Sequence, residues 1–254
     1  MPRITWSHFA APQRFFWLAG KLVPWFAVAA AVLAAWGLAI GLLVAPTDRQ
    51  QGDSYRIIFI HVPTAWTAMV LYVAMAFWAA VGLVFNARLA FMLAQAIAPT
   101  GAMMAFLALW TGAVWGKPTW GTWWVWDARL TSTLILLFLY IGYMSLRAAI
   151  EDERRADRAS AVLAMVGVVN VPIIYFSVKW WNTLHQGASV SINKAPTMAA
   201  IMLQGMLIMA LAAWAYCFAV VLARVRHVIL ERESGAAWTR AHLGPTALAQ
   251  HATP

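Results

Sequence analysis

The amino-acid sequence predicts an all-α integral membrane protein, a bundle of six transmembrane helices. Of its 254 residues, 63% are hydrophobic and only 11% are charged, whereas a soluble domain carries about 25% charged residues. The mean hydropathy is +0.70. Six apolar stretches each reach the roughly 20 residues that a helix needs to cross a bilayer core. Composition and the number of long apolar stretches therefore indicate the same fold class.

The six predicted spans follow one another with only short polar joints between them. They cover residues 22–45, 57–85, 90–114, 129–149, 161–181 and 197–223. We expect one six-span domain over 22–223, preceded by a segment, 1–21, and followed by a tail, 224–254, that is partly disordered. The first span is too long for the apolar region of a signal peptide, so we expect it to be retained. Within it, Gly37 and Gly41 form a Gly-x-x-x-Gly pattern, which favours close helix packing.

The positions of Lys and Arg predict the orientation, because basic loops near helix ends remain in the cytoplasm. An even number of spans places both termini on one side, and that side carries twelve of the 18 Lys and Arg residues. The other six are Arg49, Arg56, Lys117, Arg129, Lys179 and Lys194. We therefore expect both termini in the cytoplasm. The run 151–158 is then a solvated cytoplasmic turn of mixed charge.

Several functional classes do not fit the composition. The net charge of +9 does not indicate nucleic-acid binding, because the basic residues are scattered between apolar runs. A single cysteine, Cys217, excludes a disulfide framework, a Cys-based zinc site and covalent haem attachment through Cys-x-x-Cys-His. The sequence has no phosphate-binding loop, so any ATP-driven step requires a partner chain. No general base or nucleophile is identifiable, and we do not expect an enzyme.

The third joint, 115–128, concentrates tryptophan. It holds five of the sixteen Trp residues, Trp115, Trp120, Trp123, Trp124 and Trp126. An aromatic belt would instead distribute single indoles over many helix ends on both faces. Spacings of three and four residues from Trp120 onward to Asp127 predict one face of a short helix, and Gly116 and Gly121 let the backbone approach a planar ligand. Such a surface suits a large flat ring, either a porphyrin or a quinone.

Two of the six histidines lie on the same side as this joint. His61 begins the second span, and His185 lies in the joint between spans five and six. Either one alone is equally well explained as a hydrogen-bonded interfacial residue. Two neutral imidazoles can together fill both axial positions of haem iron, which a quinone does not require. The histidines therefore favour non-covalent haem over a quinone.

The two propionates of haem would need cationic partners at the membrane edge. Arg56 lies five residues before His61, Arg129 lies two residues after Asp127, and Lys194 is a third candidate. Arginine suits a carboxylate better than lysine does, although both arginines also fit snorkelling positions at helix ends. Asp127 opens the fourth span as Asp-Ala-Arg-Leu, so we expect it to cap that helix and hold the Trp-rich joint.

The stretch from Trp115-Gly116 to Trp126-Asp127 resembles the tryptophan-rich WWD signature of the haem-handling proteins of cytochrome c biogenesis. The resemblance covers about residues 20–225, and the length, the six spans and the flanking histidines are similar to the CcmC branch of that family. It implies a bacterial inner-membrane subunit that holds haem b at its periplasmic face. By this resemblance His61 and His185 are the axial ligands. The haem platform is formed by Trp115, Gly116, Trp120, Gly121, Trp123, Trp124, Trp126 and Asp127, and Arg56 and Arg129 bind the propionates.

The resemblance also implies partners. In such systems the ATP-binding cassette pair CcmA and CcmB and the small CcmD assemble with the haem-handling subunit, and the haem is passed to the chaperone CcmE. ATP hydrolysis by the cassette pair then releases the loaded chaperone. Two alternatives from other classes stay open, a secondary transporter and a bis-His electron-transfer subunit. The first typically has paired broken helices and midplane charges, and the second would place both histidines well inside spans.

Overall fold

The computed structural model describes residues 11–181, 183, 185 and 198–250, without the side chains of 244–250. These residues form helices and connecting turns, with no β-strand among them. The helices are α1 (Pro12–Ala39) with a π-helical turn (Ile40–Val44), a 3-10 turn (Asp53–Ile57), α2 (Ile58–Phe85), α3 (Arg88–Trp120), α4 (Ala128–Ala148), α5 (Glu153–Gly167), α6 (Asn170–Trp180), α7 (Ala200–Arg232) and α8 (Ala237–Gln250). Six segments in the described part of the chain are long and apolar enough to cross a membrane, which confirms the six-span fold class.

The first and last spans are longer than the sequence predicts. α1 begins at Pro12, because proline is tolerated in the first turn of a helix, and the boundary predicted after residue 21 lies inside this helix. α7 continues to Arg232, since the Arg and Glu residues after 223 are good helix formers. Residues 224–232 complete α7 and Ala237–Gln250 form α8, so the described part of the predicted tail is largely helical.

The two described ends of the chain meet at one end of the bundle. The Phe16 ring of α1 lies 5.5 Å from the Trp238 ring and 5.1 Å from the His242 ring, both on α8. We call this the terminal end, and we call the opposite end, where α2 begins and α3 finishes, the histidine end because it carries His61. Since successive spans alternate in direction, three of the five joints lie at the histidine end and two at the terminal end.

The third span extends through the first half of the Trp-rich joint. α3 ends at Trp120, where Gly121 has a φ of 78° and donates its N–H to the Lys117 carbonyl at 3.0 Å. The left-handed conformation of Gly121 stops the helix. The irregular segment is therefore 121–127, and the short helix predicted to run from Trp120 to Asp127 is absent.

The fifth span is broken into α5 and α6. Proline at position 172 has no N–H to give to the Val168 carbonyl, which instead accepts from Val171 at 3.0 Å. Asn170 is buried at the break and donates its side-chain amide to the Ser132 carbonyl of α4 at 2.8 Å. The break therefore anchors the beginning of α6 to α4.

Glycines allow α1, α2 and α7 to pack closely near the histidine end. A Cβ on Gly37 would come within 2.7 Å of Met209, and a Cβ on Gly41 would come within 2.6 Å of the Phe59 ring. Gly205 of α7 faces the same ring, at 2.9 Å. The Gly-x-x-x-Gly pattern thus acts in packing, and Phe59, which is fully buried, fixes the beginning of α2.

An ion cluster connects four helices at the terminal end. Asp157 of α5 accepts hydrogen bonds from Arg147 of α4 and from Arg232 of α7, the latter at 2.8 and 3.1 Å. Arg232 also donates to Gln95 of α3 at 2.7 Å. The prediction that the run 151–158 is solvated is therefore wrong for Asp157, whose side chain is only 10% exposed, because its carboxylate pairs with two nearly buried arginines.

Candidate functional site

A cleft opens at the histidine end between α2, α3, α4 and α6. The space between these helices that no atom occupies is about 830 Å³, which includes open solvent at the mouth. Most of its wall is apolar, with contributions from Ala65, Ala68, Met69, Ala108, Leu109, Leu130, Leu136 and Ile174. The remaining lining residues are His61, Gly112, Trp115, Gly116, Thr119, Trp120, Arg129, Thr133 and His185. The predicted site residues in this second group thus share one cavity.

The two histidine rings are neighbours in the lining of this cleft. Their centroids lie 6.3 Å apart, and their planes are inclined by 34°. His61 is in the first turn of α2 and makes an edge contact with Trp115, with ring centroids 5.6 Å apart. His185 lies 6.1 Å from the Trp120 ring. Each imidazole is therefore adjacent to one indole of α3.

The separation of the histidine rings fits the axial ligation of haem. A metal–nitrogen bond is about 2 Å long and a ring nitrogen lies about 1.1 Å from its ring centre, so imidazoles on opposite faces of one iron have centres about 6 Å apart. The described parts of the chain contain no group of three or more His, Cys, Asp or Glu residues arranged to hold a bare metal ion. Iron in a porphyrin needs only the two imidazoles from the protein.

The five indoles of the Trp-rich stretch divide into two sets. Trp115 and Trp120, at the end of α3, line the cleft. Trp123 and Trp126, in the irregular segment, are 56% and 77% exposed and lie outside the cleft lining. Trp124 is half-buried and packs edge-on against Trp126, with ring centroids 5.4 Å apart. Only the helical half of the stretch therefore faces the cavity.

Gly116 and Gln51, the latter from the joint between the first two spans, shape the wall around Trp115. A Cβ on Gly116 would come within 3.2 Å of the Trp120 ring and of the Thr122 carbonyl, so this position requires a small residue. The indole N–H of Trp115 donates to the side-chain oxygen of Gln51 at 2.7 Å. Gly121 serves the site indirectly, by ending α3.

The two candidate arginines have different surroundings. Arg129 lines the cleft and donates to the Ile174 carbonyl at 3.2 Å. Arg56 does not line it; its guanidinium donates to the Gly41 and Ala45 carbonyls at 2.5 and 3.1 Å and pairs with Asp53 at 2.9 Å. Its position stabilises the π-helical turn at the end of the first span. Lys194, the third candidate, lies outside the described residues.

Asp127 connects the Trp-rich stretch to His185. Its carboxylate accepts the Leu130 N–H at 2.7 Å, which confirms the predicted cap of α4. The second carboxylate oxygen accepts from the Thr183 hydroxyl, and the Thr183 oxygen in turn accepts the backbone N–H of His185 at 3.0 Å. One side chain therefore holds both the beginning of α4 and the segment that presents His185.

Several residues of the site were not identified from the sequence. Thr111 and Gly112 lie against His61, and Gln51 and Thr183 hold Trp115 and the His185 segment. Thr111 precedes Trp115 by four residues, so a helix extending to Trp120 places both on one face. Recognising that α3 continues to Trp120 would have identified it. No local sequence pattern identifies Gln51 or Thr183 as a site residue, because the residues that they contact are distant in the sequence.

Comparison with known proteins gives one consistent family. The family model described as heme exporter protein C matches residues 5–240. Heme exporter protein C of Escherichia coli (strain K12) is 51% identical over 185 residues, 73% of this chain and 76% of that protein. Heme exporter protein C of Haemophilus influenzae is 44% identical over 237 residues, 93% of this chain and 96% of that protein. A ccmC-like mitochondrial protein of cytochrome c biosynthesis from Marchantia polymorpha is 46% identical over 159 residues, 63% of this chain and 67% of that protein. The chain therefore belongs to the heme exporter protein C family.

Proposed function

We propose that this chain binds non-covalent haem b in the cleft and transfers it to the chaperone CcmE during maturation of c-type cytochromes. The observation that carries the proposal is the pair of imidazoles, 6.3 Å apart, in a cavity walled by two indoles. Bis-His ligation holds haem iron without an open position for oxygen, which suits transport more than oxygen chemistry. The family membership and the Marchantia relative's link to cytochrome c biosynthesis support the same pathway.

The proposed location is the inner membrane, with the termini in the cytoplasm and the cleft at the periplasmic face. The excess of Lys and Arg at the terminal end supports this orientation, since basic loops are retained in the cytoplasm. The cleft lies at the opposite end of the bundle. A soluble periplasmic chaperone would then meet the exposed indoles of Trp123 and Trp126 beside the cleft.

The chain would act as a holding and transfer subunit of a larger complex. It is proposed to have no enzymatic activity, because the described residues that line its cleft include imidazoles, indoles and one arginine but no activated nucleophile. ATP hydrolysis would come from the partner CcmA, paired with CcmB, and CcmD would complete the assembly. The lipid bilayer is the remaining partner, contacted by the apolar outer faces of the spans.

The positions of the site residues support a role for each of them. His61 and His185 would supply one axial nitrogen each, and Trp115 and Trp120 would cover the apolar part of the ring. Arg129 would bind a propionate from the wall of the cleft. Arg56 would contribute by holding the first external joint, which carries the Gln51 contact to Trp115.

The axial assignment is tested by the absorption spectrum of the purified haem-loaded protein. The wild type should show a six-coordinate low-spin spectrum, because two imidazoles are strong-field ligands. His61→Ala and His185→Ala should each become high-spin or lose haem, and added imidazole should partly restore the low-spin form. His227→Ala is the matched control, since His227 is an exposed histidine of α7 paired with Glu231 at the terminal end. Wild-type spectra in both site variants would refute the assignment.

The transfer function is tested in a strain that lacks the native protein. Haem on CcmE and mature c-type cytochrome should both be lost, while b-type cytochromes remain, because their haem does not pass through this site. Reintroducing the wild-type chain should restore both. Normal c-type cytochrome in the deletion strain would refute the proposal, and an equal loss of b-type and c-type haem would indicate general haem supply instead.

A further inference from the structure

The Thr111 hydroxyl lies between the His61 ring and the backbone of its own helix. Its oxygen is 3.0 Å from Nδ1 of His61, 2.6 Å from the Leu107 carbonyl oxygen and 3.3 Å from the Ala108 carbonyl oxygen. Thr111 is buried. Gly112, the next residue, leaves room for the imidazole, since a Cβ at that position would lie 3.0 Å from Cε1 of His61. The ring is thus seated against α3 on the side of Nδ1.

The shortest of these contacts favours one assignment of donor and acceptor. A hydroxyl has one hydrogen, and a carbonyl oxygen can only accept, so the close contact with Leu107 uses the Thr111 hydrogen. The Thr111 oxygen then presents a lone pair to His61, and Nδ1 must supply the proton of that hydrogen bond. In a neutral imidazole the other nitrogen, Nε2, consequently carries the lone pair.

We propose that Thr111 is a positioning residue that holds His61 in the Nδ1–H tautomer and so makes Nε2 the only nitrogen able to coordinate iron. This inference rests on the proposed haem site. Metal-binding histidines generally donate their second N–H to a fixed acceptor, which sets the ring orientation and strengthens the nitrogen as a ligand. Thr111 supplies that acceptor from α3, so the helix that carries Trp115 also orients the imidazole beside it.

The tautomer can be measured without haem. In wild-type protein with ¹⁵N-labelled histidine, the His61 signals should show Nδ1 protonated and Nε2 unprotonated. Thr111→Val keeps the shape and removes the hydroxyl acceptor, leaving the Ala108 carbonyl as the ring's other polar neighbour on α3, so it should give a mixture of tautomers. Thr111→Ala should do the same, and alanine is well tolerated in helices. Thr111→Ser should restore the wild-type signals because it keeps the hydroxyl.

Thr64→Val is the matched control. The Thr64 hydroxyl is also buried, one turn from His61 on α2, but it donates to the backbone carbonyls of Ile60 and His61, both at 2.9 Å, and not to the ring. Its removal should leave the His61 tautomer unchanged. A change in Thr64→Val equal to that in Thr111→Val would show that any lost hydroxyl near His61 has the same effect, and would overturn the proposal.

The haem-loaded protein gives a second measurement. Thr111→Val should remain low-spin but bind haem about 10–100-fold more weakly, the usual effect of removing such a supporting contact, and its reduction potential should become more positive because the imidazole donates less charge to ferric iron. Thr111→Ser should recover both values. A wild-type tautomer, affinity and potential in Thr111→Val would refute the role of Thr111. Failure of the wild type to bind haem would instead refute the proposed function, while the spectra of the haem-free protein still decide the tautomer.

Discussion

Arg129 is the residue through which the cleft can attract an anionic group. Among the described lining residues it is the one cation, and its guanidinium carries five N–H donors, of which one is directed to the Ile174 carbonyl. Arg56 uses its donors on Gly41, Ala45 and Asp53. The two arginines predicted to bind propionates therefore differ in their surroundings: Arg129 lines the cleft, whereas Arg56 contacts backbone carbonyls and Asp53.

We predict that Arg129→Ala weakens haem binding about 10–150-fold, because a charge-assisted hydrogen bond contributes roughly 1.5–3 kcal/mol. The loss should be absent for a haem analogue without propionates, and the spin state should not change. Titration of both ligands measures the effect. Arg56→Ala is the comparison variant and should still discriminate between the ligands; equal discrimination by Arg129→Ala would place the propionate contact elsewhere.

The sequence predicted which residues lie together at the candidate site, but it did not predict most of the side chains that contact them. Both histidines, Arg129, Trp115 and Trp120 meet in one cleft. The local capping role of Asp127 follows from its position before a helix, and it is confirmed. Asp127 also contacts Thr183, which is 56 residues away in the sequence. That contact depends on how the spans are arranged, and no local sequence pattern specifies the arrangement.

At the scale of elements, the Trp-rich stretch consists of a helix end and an irregular segment with different surfaces. The prediction of a single indole face failed because Gly121 adopts a left-handed conformation and ends α3. The first and last predicted spans were too short at the ends that carry charged residues. Hydropathy locates the membrane core, but Arg, Lys and Glu continue a helix beyond it without a penalty.

We predict that the two halves of the stretch separate binding from transfer. Trp120→Ala should weaken haem binding, since it removes an indole from the cleft wall. Trp126→Ala should leave haem binding intact and lower the haem delivered to CcmE, because that indole is exposed beside the cleft. Haem content of each variant and haem on the chaperone are measured in the same cells. The division of roles would be wrong if Trp126→Ala lost haem to the same extent as Trp120→Ala.

Asp127 and Asp152 provide a matched pair of helix caps. Asp152 accepts the Arg155 N–H at 2.7 Å at the beginning of α5, as Asp127 accepts the Leu130 N–H at the beginning of α4. Replacing either by Ala should cost about 1 kcal/mol of stability. Only Asp127→Ala should also disturb the low-spin spectrum, through Thr183 and His185, as measured by denaturation and absorption. A spectrum unaffected by Asp127→Ala would mean that the Thr183 contact does not position His185.

At the scale of the whole molecule, the two ends of the bundle are stabilised by different interactions. The histidine end relies on glycine-mediated packing and on hydrogen bonds from side chains of the joints at that end. The terminal end relies on the Asp157 cluster, which joins α3, α4, α5 and α7, and on the aromatic contacts of α8 with α1. Among the described residues, the candidate site thus lies at one end of the bundle and the Asp157 cluster at the other.

We predict that Asp157→Ala destabilises the folded protein by about 3–5 kcal/mol, because it leaves Arg147 and Arg232 nearly buried without their carboxylate. Glu231→Ala is the control; it removes an exposed pair with His227 and should change stability by about 0.5 kcal/mol or less. Unfolding in detergent with increasing denaturant measures both. Similar stability of the two variants would show that the cluster contributes no more than a surface pair.

The packing of Phe59 between Gly41 and Gly205 has a consequence for how this chain can change over evolutionary time. The ring fills the space that both glycines leave, and it lies two residues before His61. A larger residue at either glycine position would have to arise together with a smaller one at position 59. We therefore expect the three positions to vary as a set among descendants of this sequence, with single replacements there eliminated by selection even though none of the three side chains belongs to the cleft lining.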